Sequence, residues 1–276
     1  GGPLLYCAQM QMLQRSNVDQ LGIPKIRTQL SSAGLDGLRR LIQAHEHDPR
    51  AGVQNALTSA RMRLERAEIE NRRLDELARI EEAMYEQGMV LVAGIDEVGR
   101  GALAGPLTTG AVVLPVGTRI IGLDDSKRLS PKRREELAIQ ICAVAVTWHV
   151  AHVEAAELDA VGMTTALRKA MNASLAGLRP SADHALIDGR PMGLSLPETA
   201  VIGGDRKVAA IAAASILAKV TRDALMRQLD ERFPGYDFAL NKGYGTREHM
   251  DAIDRLGLTP HHRRSFSPCG GTLSLF

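Results

Sequence analysis

The chain has 276 residues, of which 45% are hydrophobic and 24% charged, enough apolar material for a catalytic domain with a smaller companion and too much for a chain disordered along its length. Its formal net charge of +2 does not by itself point to nucleic acid, although local basic clusters and acidic groups can cancel in such a sum. Three scattered cysteines, Cys7, Cys142 and Cys269, exclude a disulfide framework and a C-x-x-C zinc site and suit a reducing, cytoplasmic setting. No apolar run approaches the roughly 20 residues of a membrane span, and no secretory leader is expected at the start.

Residues 1–88 are predicted to be a helical N-terminal extension, a substrate-binding or linker region. Ser31 to Ala44 reads as a short helix. From Val53 to Gln87 there is no proline or glycine, and Leu57, Leu64, Leu74, Leu77, Ile80 and Met84 recur at helical spacing. This predicts one long amphipathic helix or two joined ones. Packing on the same chain is favoured over a coiled coil, because the heptad pattern is not sustained.

From residue 89 to 276 strands alternate with helices, the pattern of an α/β domain built on a central sheet. Strands are predicted at Val90–Asp96, Gly110–Leu114, Arg119–Leu123, Val144–Val153 and His184–Asp188. Helices are predicted at Pro131–Ala143, Met163–Leu178, Val208–Arg232 and Arg247–Leu256.

Four acids mark the candidate site: Asp96, Glu97, Asp188 and Asp205. Asp96 and Asp188 each end an apolar strand, where α/β sheets gather their ligands. Taken singly, each reads as a solvated turn acid. Together they form a set of hard oxygen donors without Cys or His, which favours Mg²⁺ or Mn²⁺ over zinc. Asp96 and Glu97 are neighbours, so in a regular strand they would point to opposite faces. Both are expected to reach a metal only where the backbone turns irregular, which Val98-Gly99 permits. The glycine-rich stretch from Gly99 to Pro106 adjoins this pair and would let backbone groups approach a ligand closely.

These blocks resemble the type 2 ribonuclease H family. The resemblance is carried by Gly94-Ile95-Asp96-Glu97-Val98-Gly99-Arg100-Gly101, Leu103-Ala104-Gly105-Pro106, Asp125-Ser126-Lys127 and Ile187-Asp188-Gly189. It continues through Gly204-Asp205, the helix from Ile211 to Val220 with Arg222-Asp223, Lys242-Gly243-Tyr244-Gly245-Thr246, His249 and Arg263-Arg264-Ser265-Phe266. It covers about residues 90 to 268, in order.

The resemblance implies a ribonuclease H-like fold, a mixed five-stranded sheet flanked by helices. It implies a metal-dependent endonuclease that cuts the RNA strand of RNA–DNA hybrids and single ribonucleotides in duplex DNA, leaving 3′-hydroxyl and 5′-phosphate ends. Asp96, Glu97, Asp188 and Asp205 would hold two Mn²⁺ or Mg²⁺ ions. Gly99, Arg100 and Gly101 would read the ribose 2′-hydroxyl, and Tyr244 would pack on the neighbouring deoxyribose. The family pattern usually carries His where this chain has Asn241. A weaker match around His47 to Gln54 points to the extension of some bacterial members.

Lys127 is expected on a phosphate, and Ser215 either on a phosphate or on a helix face, with the phosphate slightly favoured. Asp223 is read as structural, Trp148 as core, and His249, His261 and His262 as surface or nucleic-acid contacts. The expected partners are RNA–DNA hybrid and ribonucleotide-containing duplex DNA, with no membrane and a monomeric chain. Two rival readings stay open: a type 3 ribonuclease H and a non-catalytic hybrid-binding protein.

Overall fold

The computed structural model describes residues 21–270, so Cys7 and the starting segment lie outside the described residues. The chain forms two compact units that divide after Arg73. In the first, α1 (Ile23–Ser32), α2 (Leu35–Ala44) and the opening turns of α3 (Ala51–Glu86) enclose Ile26, Leu30, Leu38, Val53, Leu57 and Ala60. Arg63 donates to the Ser31 and Ala33 carbonyls at 2.7 Å each, serving the end of α1 where carbonyls lack helical partners. The segment before α3 is tied by Arg50, whose backbone N–H and guanidinium both donate to Asp48.

α3 is a single helix of 36 residues, and its leucines pack within the chain. Its last turns belong to the second unit. Leu74 and Leu77 join the core under the sheet, Met84 joins a neighbouring cluster, and Arg119 pairs with Asp75 and Glu82 at 2.9 Å each. The packing boundary therefore falls earlier than the change in composition at residue 88.

The second unit is built on a five-stranded sheet, ordered β3-β2-β1-β4-β5. Its strands are β1 (Val92–Val98), β2 (Leu107–Val113), β3 (Thr147–Val153), β4 (His184–Asp188) and β5 (Glu198–Val201). β2 runs antiparallel to both β1 and β3, while β4 lies parallel to both β1 and β5. One face packs α4 (Pro131–Val144) and the Ala-rich part of a long helix; the other packs α6 (Met163–Ala176), which follows the short α5 (Ala155–Val161). The long helix, α7 (Ala209–Arg232), is buried without interruption from Ala209 to Ala218. It lies so close that a Cβ on Gly94 would collide with Ala210, and one on Gly110 with the Ala214 carbonyl. Glycine in the strand and alanine in the helix are thus one packing decision. The start of α7 is capped from α3, where the buried Glu81 carboxylate accepts from Ala209 N–H at 3.1 Å. A short α8 (Phe238–Asn241) and then α9 (Arg247–Leu256) complete the chain of helices.

Three local expectations are corrected. Arg119–Leu123 is not a strand: Ile120 and Leu123 reach the core from a turn at Gly122 (φ +79°), and the apolar run Ile120-Ile121 with Leu123 mimicked a strand although Ile121 faces out. Trp148 is 43% exposed on β3, an edge strand, rather than in the core. His249 and His262 are buried, not on the surface.

Candidate active site

The site grows from one feature of the topology. β1 and β4 are adjacent and parallel, and their ladder ends at Ile95 opposite Ile187. The next residues along each strand are Asp96 and Asp188, so two carboxylates leave neighbouring strands at the same end. Beyond that point β1 keeps its pairing to β2 on the other side, with Asp96 opposite Gly110 and Glu97 opposite Thr109. β1 stays paired with β2 through Val98, and the irregular backbone comes at Gly99 (φ +84°), directly after the acidic pair.

The two acids are neighbours electrostatically nonetheless. Burial first, then the charges of Glu97 and Asp188, push the Asp96 carboxyl up to about 8. Burial also raises Glu97, with Asp188 adding to it and Arg100, whose Nη1 lies 3.7 Å away, opposing it.

Asp205 reaches the same group through the backbone. It lies in a single 3₁₀ turn, Gly204–Arg206, and the Gly204 N–H donates to Asp188 Oδ1 at 2.7 Å. Burial raises the Asp205 carboxyl, and the charges of Asp125 and Asp188 add to that. Lys127 stands at the rim: its side chain is 80% exposed and its Nζ is 4.0 Å from Asp205. Burial works against its charge, but Asp125, Asp96, Asp205 and Asp188 together raise its proton affinity. Among the described residues no three His, Cys, Asp or Glu side chains form a ready-made cage for an ion. The carboxylates are close enough to resist one another's ionisation, which a cation would relieve.

Ser215 is not on open surface. It lies buried on α7, 2.9 Å from the hydroxyl of Ser126, and its hydroxyl favours the charged form of the Asp96 carboxyl. Ser126, the middle of Asp125-Ser126-Lys127 left without a role from sequence, is the hydrogen-bond partner of Ser215. Asp223 pairs with Lys219 at 2.6 Å and Arg134 at 3.6 Å, a structural role.

Two fully buried arginines frame the glycine-rich loop, and neither was assigned a role from sequence. Arg222 donates to the carbonyls of Pro106 (2.8 Å), Lys242 (2.8 Å) and Ala104 (3.0 Å). Arg263 donates to the carbonyls of Arg100 and Gly105, both at 3.0 Å. Carbonyls alone make a weak counter-charge, and burial accordingly brings Arg263 down to about 10. A Cβ on Gly99 would strike the Arg222 guanidinium, so the protein itself demands glycine there. Gly101 differs: a Cβ there would meet nothing within 4 Å.

The turn bearing Tyr244 docks on the same loop. The Gly243 carbonyl accepts from Leu103 N–H at 2.7 Å and from Ala104 N–H at 3.1 Å. Asn241 shapes this turn, its Oδ1 accepting from Gly243 N–H at 2.7 Å and its Nδ2 donating to the Tyr236 carbonyl at 2.6 Å. Tyr244 is 36% exposed, with the Arg222 guanidinium 5.6 Å from its ring centre.

A family model described as Ribonuclease HII matches residues 93–269, and one described as Ribonuclease HII N-terminal domain matches residues 22–85. A Ribonuclease HII of Geobacillus thermodenitrificans (strain NG80-2) is 48% identical over 221 residues, 80% of this chain and 85% of that protein. The crystal structure of the ribonuclease H2 from Pyrococcus horikoshii OT3 superposes with a TM-score of 0.57 at 27% identity, covering 66% of this chain and 96% of that one. A Bst-RNase HIII in complex with Mn²⁺ shares the fold alone, with a TM-score of 0.51 at 17% identity over 68% of this chain and 70% of that one. No helix among the described residues is long and apolar enough to cross a membrane. With both units matched in order and almost half of the residues identical to a relative over most of its length, the chain belongs to the ribonuclease HII family of endoribonucleases, hydrolases acting on RNA–DNA hybrids.

Proposed function

We propose that this chain hydrolyses the RNA strand of RNA–DNA hybrids, and cuts at single ribonucleotides within duplex DNA, using two divalent ions held by Asp96, Glu97, Asp188 and Asp205. The observation that carries the proposal is the meeting of Asp96 and Asp188 at adjacent strand ends, with Asp205 fastened to Asp188 through the Gly204 N–H. All four donors are hard carboxylate oxygens, which suit Mn²⁺ or Mg²⁺, and a protein of the same fold is described with Mn²⁺. When bound, such ions supply Lewis acidity at a phosphodiester.

The chain's own residues do the rest. The hydroxyl of Ser215 favours the charged form of Asp96, the form that would bind a cation. The Lys127 side chain, exposed beside the carboxylates, is placed to meet a phosphate. Gly99, Arg100 and Gly101 form the backbone that would meet a ribose. The 2′-hydroxyl is the one local mark that tells RNA from DNA, and it both donates and accepts hydrogen bonds. Arg222 and Arg263 hold this loop from beneath, so its outward face is preorganised. Tyr244, on a turn bonded to that loop, offers a flat ring to the next sugar, where a deoxyribose fits and a 2′-hydroxyl would crowd it.

Tyr244→Ala is therefore expected to lose much more activity on a duplex with one ribonucleotide than on a continuous hybrid. Gly101→Ala should impair both substrates while the melting temperature stays near that of the parent, since its Cβ meets nothing in the protein. Parallel cleavage assays on the two duplexes, with thermal melting of each variant, check this. If Tyr244→Ala lowers stability and both activities together, the ring is a packing element and the reading fails.

A further inference from the structure

Behind Tyr244 lies a pair of buried histidines, His249 on α9 and His262 in the loop after it. Their hydrogen bonds determine where each proton sits. The Thr259 backbone N–H donates to His262 Nδ1 at 2.9 Å, and the Thr259 hydroxyl meets the same nitrogen at 2.8 Å. A ring nitrogen that accepts from an amide carries no proton, so neutral His262 is protonated on Nε2. That atom is 3.1 Å from His249 Nε2, which must then accept. His249 is left with its proton on Nδ1, 2.9 Å from the carbonyl oxygen of Tyr244, and donates to it. Donation runs one way, from Thr259 through His262 and His249 to Tyr244, and all four ring nitrogens are satisfied.

The surroundings keep the pair neutral and still. Tyr236 and Phe238 pack against His262 with ring centres 5.3 and 5.7 Å away, and Phe238 meets His249 edge-on at 5.4 Å. Burial lowers the proton affinity of both rings, that of His262 to about 4, with the charges of His249 and His261 adding to the effect on His262. A second proton on His249 would set N–H against N–H at the central contact, and one on His262 Nδ1 would face the Thr259 N–H. The Tyr244 carbonyl also accepts from Thr246 N–H at 2.8 Å, so two donors fix that peptide. The ring of Tyr244, by contrast, is partly exposed and touches Arg222 on one side. Its placement therefore depends on its backbone.

We infer that His249 and His262 are positioning residues for substrate selection, fixing the Tyr244 carbonyl, and with it the ring presented to the sugar, through a one-way chain of hydrogen bonds from Thr259. The inference rests on the reading of Tyr244 given above. It differs from ordinary core packing in what it moves: a loosened core lowers cleavage of every substrate together, whereas a displaced Tyr244 changes the ratio between substrates.

The test compares kcat/KM on a single-ribonucleotide duplex and on a continuous hybrid for the parent, Tyr244→Ala, His249→Ala, His249→Asn, His262→Ala and His262→Gln, with thermal melting of each. His249→Ala and His262→Ala should each lower the preference for the single ribonucleotide by about threefold to tenfold, the scale of one lost hydrogen bond. His249→Asn can still donate to the Tyr244 carbonyl and His262→Gln can still donate to His249, so both should retain most of the preference. If the histidine variants keep the parental ratio while Tyr244→Ala loses it, the inference is overturned and Tyr244 acts without them. If Tyr244→Ala itself keeps the ratio, the reading of the tyrosine falls and this inference falls with it; which variant is silent separates the two outcomes. Should the alanine variants not fold, long-range ¹⁵N spectra of the imidazoles in the parent decide. His249 should be protonated on Nδ1 and His262 on Nε2, and the reverse tautomers, or a charged ring at neutral pH, would overturn the chain of donation.

Discussion

Asp188→Asn should lose nearly all cleavage, by roughly a thousandfold or more, while still binding the hybrid. The neutral amide removes a negative charge from a site proposed to balance two dications, and the transition-state stabilisation that such ions supply is several kcal/mol. The structure makes this substitution a clean one. Asp188 Oδ1 accepts from the Gly204 N–H at 2.7 Å, and an asparagine oxygen can accept the same bond. The turn that carries Asp205 should therefore stay in place, and melting should change little. Cleavage at a defined excess of Mn²⁺ or Mg²⁺, with hybrid affinity measured beside it, separates loss of chemistry from loss of binding. Full activity in the variant would remove Asp188 from the site.

Truncation should have an equally large effect, but on folding, and its sign depends on fifteen residues. Deleting residues 1–73 is expected to leave a folded nuclease; deleting residues 1–88 is not. The longer deletion matches the change in composition, and on sequence grounds it spares every catalytic block. The packing says otherwise. Leu74, Leu77 and Met84 are buried in the second unit. Each contributes about 1.5–3 kcal/mol, a sum comparable with the roughly 5–15 kcal/mol that holds a typical domain together. Glu81 leaves with them, uncapping α7 at Ala209, and so does the Tyr85 hydroxyl that donates to the Leu114 carbonyl at 3.1 Å. The shorter deletion removes a unit with its own core and its arginines, so hybrid affinity should fall and become less salt-dependent. Circular dichroism and melting of both proteins check the contrast, and a folded, active chain beginning at residue 89 would refute it.

What could be read from sequence follows the range of the interactions. Asp96 and Asp188 were legible because an apolar run ending on an acid is a local pattern, and an α/β alternation tells which end of the sheet matters. The long helix was legible from its spacing of leucines. β5 was not, since Glu198–Val201 is four residues long and only half-buried. The bond between Ser126 and Ser215 joins positions 89 residues apart, and nothing in either neighbourhood announces it. Arg222 and Arg263 were given no role because an arginine in sequence carries no sign of burial; only the three-dimensional loop offers the carbonyls that let them be buried. A signal was available at Arg222, a charge continuing the Ala-rich face of α7. His249 and His262 were misread for a similar reason, as their partners are each other, Thr259 and the Tyr244 carbonyl, none of which sequence spacing announces.

The central claim, that the four carboxylates serve divalent ions which carry the hydrolysis, is met most directly by one titration. The full chain, stripped of metal by a chelator, is given a labelled duplex with a single ribonucleotide, and Mn²⁺ or Mg²⁺ is added stepwise while both fragments are mapped. No cleavage is expected without metal, and activity should rise to saturation, leaving 3′-hydroxyl and 5′-phosphate ends. Cleavage that persists in the chelator, or fragments ending in a 2′,3′-cyclic phosphate, would contradict the account, because the ribose hydroxyl and not water would then be the attacking group.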